Sequence, residues 1–225
     1  MKHIGFIMDG NRRWAKKLGN IASFGHSKGG DRVEEVLQMC LDAKIEYVSM
    51  WALSNENLNS RSSKELADIF DLFRKKVPPL LEKLKQHNIS LKIVGDMWLL
   101  PVDIREILLD GVDSTSSGNA MTFILAIAYG GQDEIVRAVR RFVAESQSIE
   151  SLNEKSLLEY LDTGAYPPPD LIVRTGGHER HSGYFLYQSA YSEYYFTDTL
   201  WPDFSRDDFD KALASYRKTK RNFGK

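Results

Sequence analysis

The sequence predicts an α/β protein with one domain, in which a mostly parallel central sheet of about six strands is flanked by helices. Short apolar runs alternate along the chain with longer segments whose apolar residues recur at helical spacing. No internal repeat, low-complexity tract or long linker divides the 225 residues, a length that suits one large α/β domain. The whole chain, residues 1–225, is therefore assigned to a single domain.

Six apolar runs have the length of buried strands. The first, residues 4–8, ends at the turn-forming residues Asp9, Gly10 and Asn11. The other predicted strands are residues 47–53, 89–94, 121–129, 171–173 and 194–196. Strands that alternate with helices usually form a parallel sheet with both faces covered.

The predicted helices carry their apolar residues on one face. The longest, residues 64–87, has Leu66, Ile69 and Phe73 on that face, and we expect Pro78 and Pro79 to interrupt and kink it. The other predicted helices are residues 32–43, 133–144, a short one around 157–161, and 207–220.

Composition narrows the classes of function. The formal net charge of −1 gives no bulk attraction to nucleic acid or to an anionic membrane. Cys40 is the only cysteine, and the chain enters its first strand without room for a signal peptide, so we expect a cytoplasmic protein. No apolar run approaches the ~20 residues of a spanning helix, so a lipid substrate would be met from the aqueous side.

Polar and glycine-rich segments follow three of the predicted strands. They are residues 9–14, 54–57 and 174–177, with Arg180 and Ser182 just beyond the last. In parallel sheets, ligands collect at the carboxyl ends of the strands. One carboxylate, several arginines and turns with free amides suit a phosphate or diphosphate chelated by Mg²⁺.

Each segment also has a structural interpretation that is at least as common. An Asp-Gly-Asn sequence after a strand is usually a turn, and Arg12 with Arg13 would usually begin a solvated helix. Asn57 could cap a helix, His26 could be a satisfied core histidine, and Glu193 could be a surface carboxylate. Their joint occurrence at successive strand ends is what favours a site.

Two other phosphate-handling classes fit less well. Haloacid-dehalogenase phosphatases also begin with a strand followed by Asp-Gly, but they need a second aspartate where Asn11 stands. A P-loop enzyme is excluded because the sequence has no Gly-x-x-x-x-Gly-Lys-Ser/Thr.

The chain resembles the cis-prenyltransferase (isoprenyl transferase) family, which includes undecaprenyl diphosphate synthase. The most specific matches are Met8-Asp9-Gly10-Asn11, the Arg-Thr-Gly-Gly sequence at 174–177, and Tyr191-Ser192-Glu193. The resemblance runs essentially end to end, in segments 3–17, 24–26, 54–57, 127–133, 174–182 and 189–204.

The resemblance implies an activity and an assembly. Family members are homodimers or are paired with a related subunit, and a hydrophobic tunnel rises from their sheet. With Mg²⁺ they condense isopentenyl diphosphate with an allylic diphosphate, here farnesyl or geranyl diphosphate, into a cis-configured polyprenyl diphosphate. A peripheral membrane contact could assist release of such a product.

The resemblance also implies roles for residues. Asp9 and Asn57 are the implied catalytic residues, with Asn57 handling a proton beside His26, and Asp9 and Glu193 are the implied Mg²⁺ ligands. Isopentenyl diphosphate is expected at Arg174, Arg180 and Ser182. The implied substrate-binding residues are Gly10, Asn11, Arg12, Arg13, Trp14, His26, Ser54, Asn55, Glu56, Leu58, Arg61, Arg174, Arg180, His181 and Ser182.

Several positions depart from the pattern of most members. Arginine is usual where Ala22, Ser60 and Asn222 stand, and Arg61 and Arg221 are candidates to replace the last two. Tryptophan is usual at Leu58 and glutamate at His178. These departures leave the product length and the preferred primer open.

Two alternative functions remain. A non-catalytic partner subunit would typically lose the first aspartate and much of the arginine set, which this chain retains. Head-to-middle condensation of two allylic diphosphates is compatible with the altered Ala22, Leu58 and His178.

Product length in a tunnel depends on the side chains at its far end. The candidates are Phe70 and Phe73 on the long helix and Met121 and Phe123 on the fourth strand, although each could be ordinary core. The small Ala52 would leave the lower part of the tunnel open.

Overall fold

The computed structural model describes residues 1–145 and 148–219 of the chain. The strands are β1 (His3–Ile7), β2 (Tyr47–Ser54), β3 (Ile89–Val94), β4 (Met121–Tyr129), β5 (Leu171–Arg174) and β6 (Glu193–Phe196). The helices are α1 (Asn11–Lys17), α2 (Ala22–Asp42), α3 (Asn55–Ser60), α4 (Ser63–Gln86), α5 (Val102–Ser114), α6 (Gly131–Ala144), α7 (Glu154–Tyr160) and α8 (Arg206–Lys218).

The six strands form one parallel sheet in the order β3-β4-β2-β1-β5-β6. This confirms the predicted fold class. β1 lies inside the sheet, between β2 on one side and β5 on the other. The strand order therefore changes direction at β1, which is where open α/β sheets form a ligand crevice at their carboxyl ends.

Both faces of the sheet are covered, as expected from the alternation of strands and helices. Alternate residues of β4 face one side of the sheet, and those such as Phe123 and Leu125 pack into the larger core beneath α2, α4, α5 and α8. The residues between them, such as Ile124 and Ala126, face the other side and pack into a smaller core around Tyr129.

Three helices were not expected from the sequence, namely α1, α3 and α5, and α2 begins ten residues before its predicted start. The early part of α2 is rich in glycine, which disfavours a helix in isolation. Close packing on α1 explains it: a Cβ on Gly25 would lie 2.1 Å from the carbonyl oxygen of Asn11. Tertiary contact thus outweighs local propensity here.

Helix α4 is capped by a serine and continues through its two prolines. Ser62 Oγ accepts a hydrogen bond of 3.2 Å from Glu65 N. The helix is unbroken through Pro78 and Pro79, so the predicted interruption is wrong, while the kink stays a prediction. The predicted helix 207–220 ends at Lys218, and residue 220 lies outside the described part of the chain.

Within residues 1–145 and 148–219, no helix combines the length and the apolar character that crossing a membrane requires.

Candidate active site

The polar segments after β1, β2 and β5 converge at the carboxyl edge of the sheet. Ile7, the last residue of β1, pairs with Arg174 at the end of β5 and with Trp51 in β2. Parallel strands bring the residues that follow them to the same edge. Asp9, Ser54 and Arg174 therefore lie around one crevice, as the sequence predicted.

Asp9 bridges two arginines at the base of this crevice. Its Oδ1 accepts a hydrogen bond from Arg13 Nη2 at 3.1 Å, and its Oδ2 accepts one from Arg174 Nη2 at 3.0 Å. Its carbonyl oxygen accepts from Thr175 Oγ1 at 2.7 Å and from Trp201 N at 3.0 Å. The backbone and the carboxylate of Asp9 are thus both fixed, while the side chain stays 29% exposed.

Arg174 ties the loop after β5 to Asp9. Its Nη1 donates to the carbonyl of Arg180 at 2.5 Å and to Ser182 Oγ at 2.8 Å. Its Nε is buried and has no hydrogen-bond partner. Within the same loop, His181 Nδ1 accepts from the amide of Gly183 at 3.0 Å. Arg174 therefore shapes the loop that presents Arg180 and Ser182.

Two glycines allow close approaches of the backbone, one to Arg13 and one to Leu200. Gly176 has a φ of +86°, and a Cβ there would lie 2.5 Å from Arg13 Nη2. The absence of a side chain lets Arg13 Nη1 donate to the carbonyl of Gly176 at 2.6 Å. Gly10, just before α1, has a φ of +116° and a Cβ there would meet Leu200.

Trp14 is used for packing rather than for lining the crevice. Its ring stacks on Phe24 with centroids 5.7 Å apart, and its Nε1 donates to Asp203 Oδ1 at 2.7 Å. Trp14 does not line the polar cavity of this crevice, and its substrate-binding role stays a prediction. Arg12, two residues earlier, is exposed and lies 3.5 Å from Glu65 Oε1.

The end of β2 continues directly into α3. Ser54 Oγ caps this helix by accepting from Asn57 N at 3.1 Å, which leaves the Asn57 side chain free to face the crevice. Asn55 Oδ1 is buried without a hydrogen-bond partner. Leu58 is partly buried against the larger core.

Arg61, His26 and Glu65 form a cluster on one wall of the crevice. Arg61 Nη1 lies 2.7 Å from Glu65 Oε1 and 3.4 Å from His26 Nε2. Burial, reinforced by the charge of Arg61, lowers the pKa of His26 to about 4, so its ring is neutral at neutral pH. Burial also lowers the pKa of Arg61, against the opposing effect of Glu65.

These side chains line a polar cavity of about 520 Å³. Five arginines and two carboxylates face it, so its charge suits an anion with several negative oxygens. The predicted site residues that line it are Asp9, Gly10, Asn11, Arg12, Arg13, His26, Ser54, Glu56, Asn57, Arg61, Arg174, Arg180 and Ser182. Lining residues outside the predicted set are Ile7, Met8, Trp51, Ala52, Leu53 and His178. A strand-end position is the signal that could have found most of them.

Four predicted binding residues, Trp14, Asn55, Leu58 and His181, do not line this cavity. Each lies beside a lining residue in sequence, and each is turned toward a neighbouring loop, helix or core. Strand-end position predicts the segment, but it does not predict which side chains face the ligand.

Glu193 lies at the opposite edge of the sheet from Asp9. It is the first residue of β6 and pairs with Leu171, which pairs with Ile4 at the start of β1. At about 3.3 Å per residue, the three residues from Ile4 to Ile7 alone separate the two levels by about 10 Å. Within one chain, the two carboxylates predicted to share Mg²⁺ do not meet.

Asp9 nevertheless fits a metal site that is completed by substrate. In the described ranges, no group of three His, Cys, Asp or Glu side chains could hold a metal ion. Mg²⁺ is often bound through one or two carboxylates, with phosphate oxygens and water as its other ligands. Each Asp9 oxygen accepts one arginine and keeps a further lone pair.

An apolar cavity of about 310 Å³ adjoins the polar one. It lies between α2 and α4, above β2 and β4, and its lining includes Val33, Leu72, Val77, Leu80 and Leu125. Six residues line both cavities: Met8, Asn11, His26, Ala52, Leu53 and Arg61.

The candidate tunnel residues divide into two groups. Phe73, Phe123 and Ala52 line the apolar cavity. Phe70 packs against the larger core, and Met121 is 2% exposed at the start of β4. These last two are core residues, which was the alternative interpretation of each.

The sequence has close relatives among known enzymes. A family model described as "Putative undecaprenyl diphosphate synthase" matches residues 7–224. A tritrans,polycis-undecaprenyl-diphosphate synthase (geranylgeranyl-diphosphate specific) from Thermoplasma acidophilum is 40% identical over 100% of this chain and 89% of its own length. An isoprenyl transferase from Treponema denticola is 38% identical over 100% of this chain and 97% of its own.

Solved structures agree in fold. Lavandulyl diphosphate synthase from Lavandula x intermedia, in complex with dimethylallyl diphosphate, superposes with a TM-score of 0.95 at 32% identity, over 100% of this chain and 98% of that one. A probable undecaprenyl diphosphate synthase from Campylobacter jejuni gives a TM-score of 0.84, also at 32% identity, over 100% and 99% of the two chains. With an arginine-lined crevice at the same strand ends that the sequence singled out, this chain belongs to the undecaprenyl diphosphate synthase family of isoprenyl transferases.

Proposed function

We propose that this protein condenses isopentenyl diphosphate with an allylic prenyl diphosphate in cis configuration and releases diphosphate. The observation that carries this proposal is that the polar and the apolar cavity adjoin each other, with six residues in the lining of both. A prenyl diphosphate has a charged head and an apolar tail, which match the two cavities in order. The apolar cavity then acts as the start of a tunnel for the growing chain.

The arginines divide into two groups that suit two diphosphates. Asn11 and Arg61 line both cavities and would hold the allylic diphosphate with Arg12 and Arg13 nearby. Arg180 and Ser182, positioned through Arg174, would hold isopentenyl diphosphate. The planar guanidinium gives parallel charge-assisted bonds to phosphate oxygens, so these side chains also orient the two substrates against each other.

Bond cleavage at the allylic carbon leaves a carbocation and places negative charge on the departing diphosphate. Mg²⁺ held at Asp9 would supply a Lewis acid for that charge. Arg13 lies 3.1 Å from Asp9 and stabilises the same charge as it develops. Asp9 in turn holds Arg13 and Arg174 in the orientation that this requires.

A proton must leave the condensation product. The Asn57 amide is a poor base, and His26, with a pKa of about 4, is a weak proton acceptor at neutral pH. The oxygens of the released diphosphate are the stronger base in this cavity. Asn57 then acts by orienting the groups between which the proton moves.

The primer, the assembly and the cellular setting are part of the same proposal. Farnesyl or geranyl diphosphate is the expected primer, and the name of the Thermoplasma relative adds geranylgeranyl diphosphate to the candidates. We expect a homodimer in the cytoplasm, with a peripheral membrane contact during product release. Arg221 and Asn222, which bear on a contact between subunits, lie outside the described residues.

A second reaction has a specific observation in its favour. The solved structure with a TM-score of 0.95 is lavandulyl diphosphate synthase bound to dimethylallyl diphosphate, an allylic substrate. Head-to-middle condensation of two allylic diphosphates is therefore the alternative. A non-catalytic partner subunit is a weaker candidate because Asp9, Asn57, Arg174 and Arg180 are all present.

One experiment separates these possibilities. The pure protein is incubated with Mg²⁺, labelled isopentenyl diphosphate and each allylic primer from dimethylallyl to geranylgeranyl diphosphate, and the dephosphorylated products are chromatographed. Elongation that needs isopentenyl diphosphate supports the proposal. Product from dimethylallyl diphosphate alone supports head-to-middle condensation, and no product under either condition supports the partner-subunit role.

A further inference from the structure

A second cavity lies next to the far end of the apolar one. It has a volume of about 430 Å³ and is lined largely by α2 and the end of α4, with Leu37, Met39, Leu84 and Ile89 among its apolar residues. Three side chains line both cavities: Glu34 on α2, and Leu80 and Lys83 on α4. The two cavities are therefore neighbours that adjoin at these three side chains.

The two cavities run in series along α4. The apolar cavity begins near Ala52 and Leu53 at the carboxyl end of β2, whereas the second cavity reaches Ile89 at the amino end of β3. Along α4, the 14 residues from Ile69 to Lys83 span about 21 Å. The series thus leads from the polar crevice to the opposite edge of the sheet.

An ion pair links the two helices where the cavities adjoin. Lys83 Nζ donates to Glu34 Oε1 and joins α4 to α2 at that point. The side chains are 45% and 48% exposed, so both charges stay solvated whether or not the pair is formed. Leu80 lies three residues before Lys83, on the same helical face.

We propose that the Lys83–Glu34 pair, with Leu80, is a partition that sets how far a prenyl tail extends, and that the second cavity receives the tail of longer products. This inference rests on the proposed function of the polar and apolar cavities. A tail that reaches the partition meets two charges, which disfavour further apolar burial. When the charges separate into solvent, the tail gains the apolar lining of the second cavity.

The test removes the charges and follows two readouts, product length and tail binding. Lys83→Met with Glu34→Gln keeps the approximate volumes and removes the ion pair. We expect its products to shift to longer chains by one or more isoprenyl units, and Leu80→Trp to shift them to shorter chains. Lys83→Glu with Glu34→Lys restores a pair and should restore the wild-type distribution.

The matched control is Lys85→Met. Lys85 is also on α4 and pairs with Glu82 at 2.9 Å, but it lines neither cavity, so its product distribution should not change. Circular dichroism melts establish that each variant is folded. If the double variant alone does not fold, Leu80→Trp and the charge-swapped pair still decide the question.

Binding separates the partition from the proposed reaction. Alkyl diphosphates of increasing length are titrated by calorimetry, and for the wild type we expect affinity to stop rising once the tail reaches Lys83. In the Met/Gln variant, affinity should continue to rise with length, whether or not the protein elongates a primer. The partition would be overturned if folded variants gave wild-type product lengths and if their affinity stopped rising at the same tail length as in the wild type. If the variant bound longer tails but no protein elongated a primer, only the proposed reaction would be overturned.

Discussion

Replacing Arg180 with alanine should weaken binding of isopentenyl diphosphate and leave the fold intact. The Arg180 side chain is exposed at the polar cavity. Arg174 donates to the backbone carbonyl of Arg180, which alanine would retain. A charge-assisted hydrogen bond contributes about 1.5–3 kcal/mol, so loss of one such bond to diphosphate raises KM roughly 10- to 150-fold. Because exposed substitutions usually change the free energy of unfolding by within about 0.5 kcal/mol, Tm should stay nearly constant.

Arg174→Ala should behave differently although it belongs to the same substrate site. Its side chain is 7% exposed and donates to Asp9, to the carbonyl of Arg180 and to Ser182. Each acceptor that stays buried without this donor costs about 1–3 kcal/mol. We therefore expect a raised KM together with a clear fall in Tm.

The assay measures KM for isopentenyl diphosphate at saturating allylic primer, and KM for the allylic primer at saturating isopentenyl diphosphate. Circular dichroism melts of the same samples give Tm. Arg140→Ala on α6 is the matched control, because Arg140 is an exposed arginine that does not line the cavity. Arg180→Lys should recover part of the lost affinity for isopentenyl diphosphate, since lysine keeps the positive charge but lacks the planar fork of guanidinium donors. Equal rises of KM for both substrates in Arg180→Ala would refute the division into two diphosphate sites.

Three further outcomes follow from the structure. Asp9→Asn should retain the fold and lower kcat on the order of a thousandfold, because it removes the negative charge that both Arg13 and Arg174 bind; near-normal turnover in single-turnover kinetics would argue against its role. Ala52→Leu should shorten the products and Phe73→Ala lengthen them, as both side chains line the apolar cavity; unchanged chromatograms from folded variants would assign them to plain core. Burial lowers the pKa of His3 from 6.5 to about 4, so the unfolded chain binds more protons between these pH values, and the free energy of unfolding should fall by up to about 3 kcal/mol as pH drops through that window. Urea titrations of His3→Gln should show a shallower dependence on pH, and an equally steep one would contradict this assignment.

The sequence predicted the sheet well because each strand is a short run of mainly apolar residues. The predicted bounds of the third and fourth strands, 89–94 and 121–129, agree with β3 and β4 residue for residue. Buried parallel strands leave this signature wherever they occur. The short helices α1 and α3 left no such signature, because each has seven or fewer residues and too few apolar positions to show a period.

The site was predictable to the level of segments. Asp9, Arg13 and Arg174 meet because parallel strands end at one edge, which strand order alone determines. The position of Glu193 depends on the register of β6, which polar patterning does not encode. Likewise, Trp14 faces away from the cavity because its ring stacks on Phe24 and its Nε1 donates to Asp203. These are tertiary contacts, which local sequence patterns do not encode.

The two prolines of α4 have a mechanical consequence for the apolar cavity. Proline lacks a backbone N–H, so the carbonyls of Arg74 and Lys75, four residues before Pro78 and Pro79, receive no helical hydrogen bond. Pro79 itself lines the cavity, so this weakened turn is part of the wall that encloses the apolar space. A bend at that level breaks fewer hydrogen bonds than it would elsewhere in the helix. The wall of the cavity is therefore most compliant halfway along its length, between the polar crevice and the ion pair at Lys83.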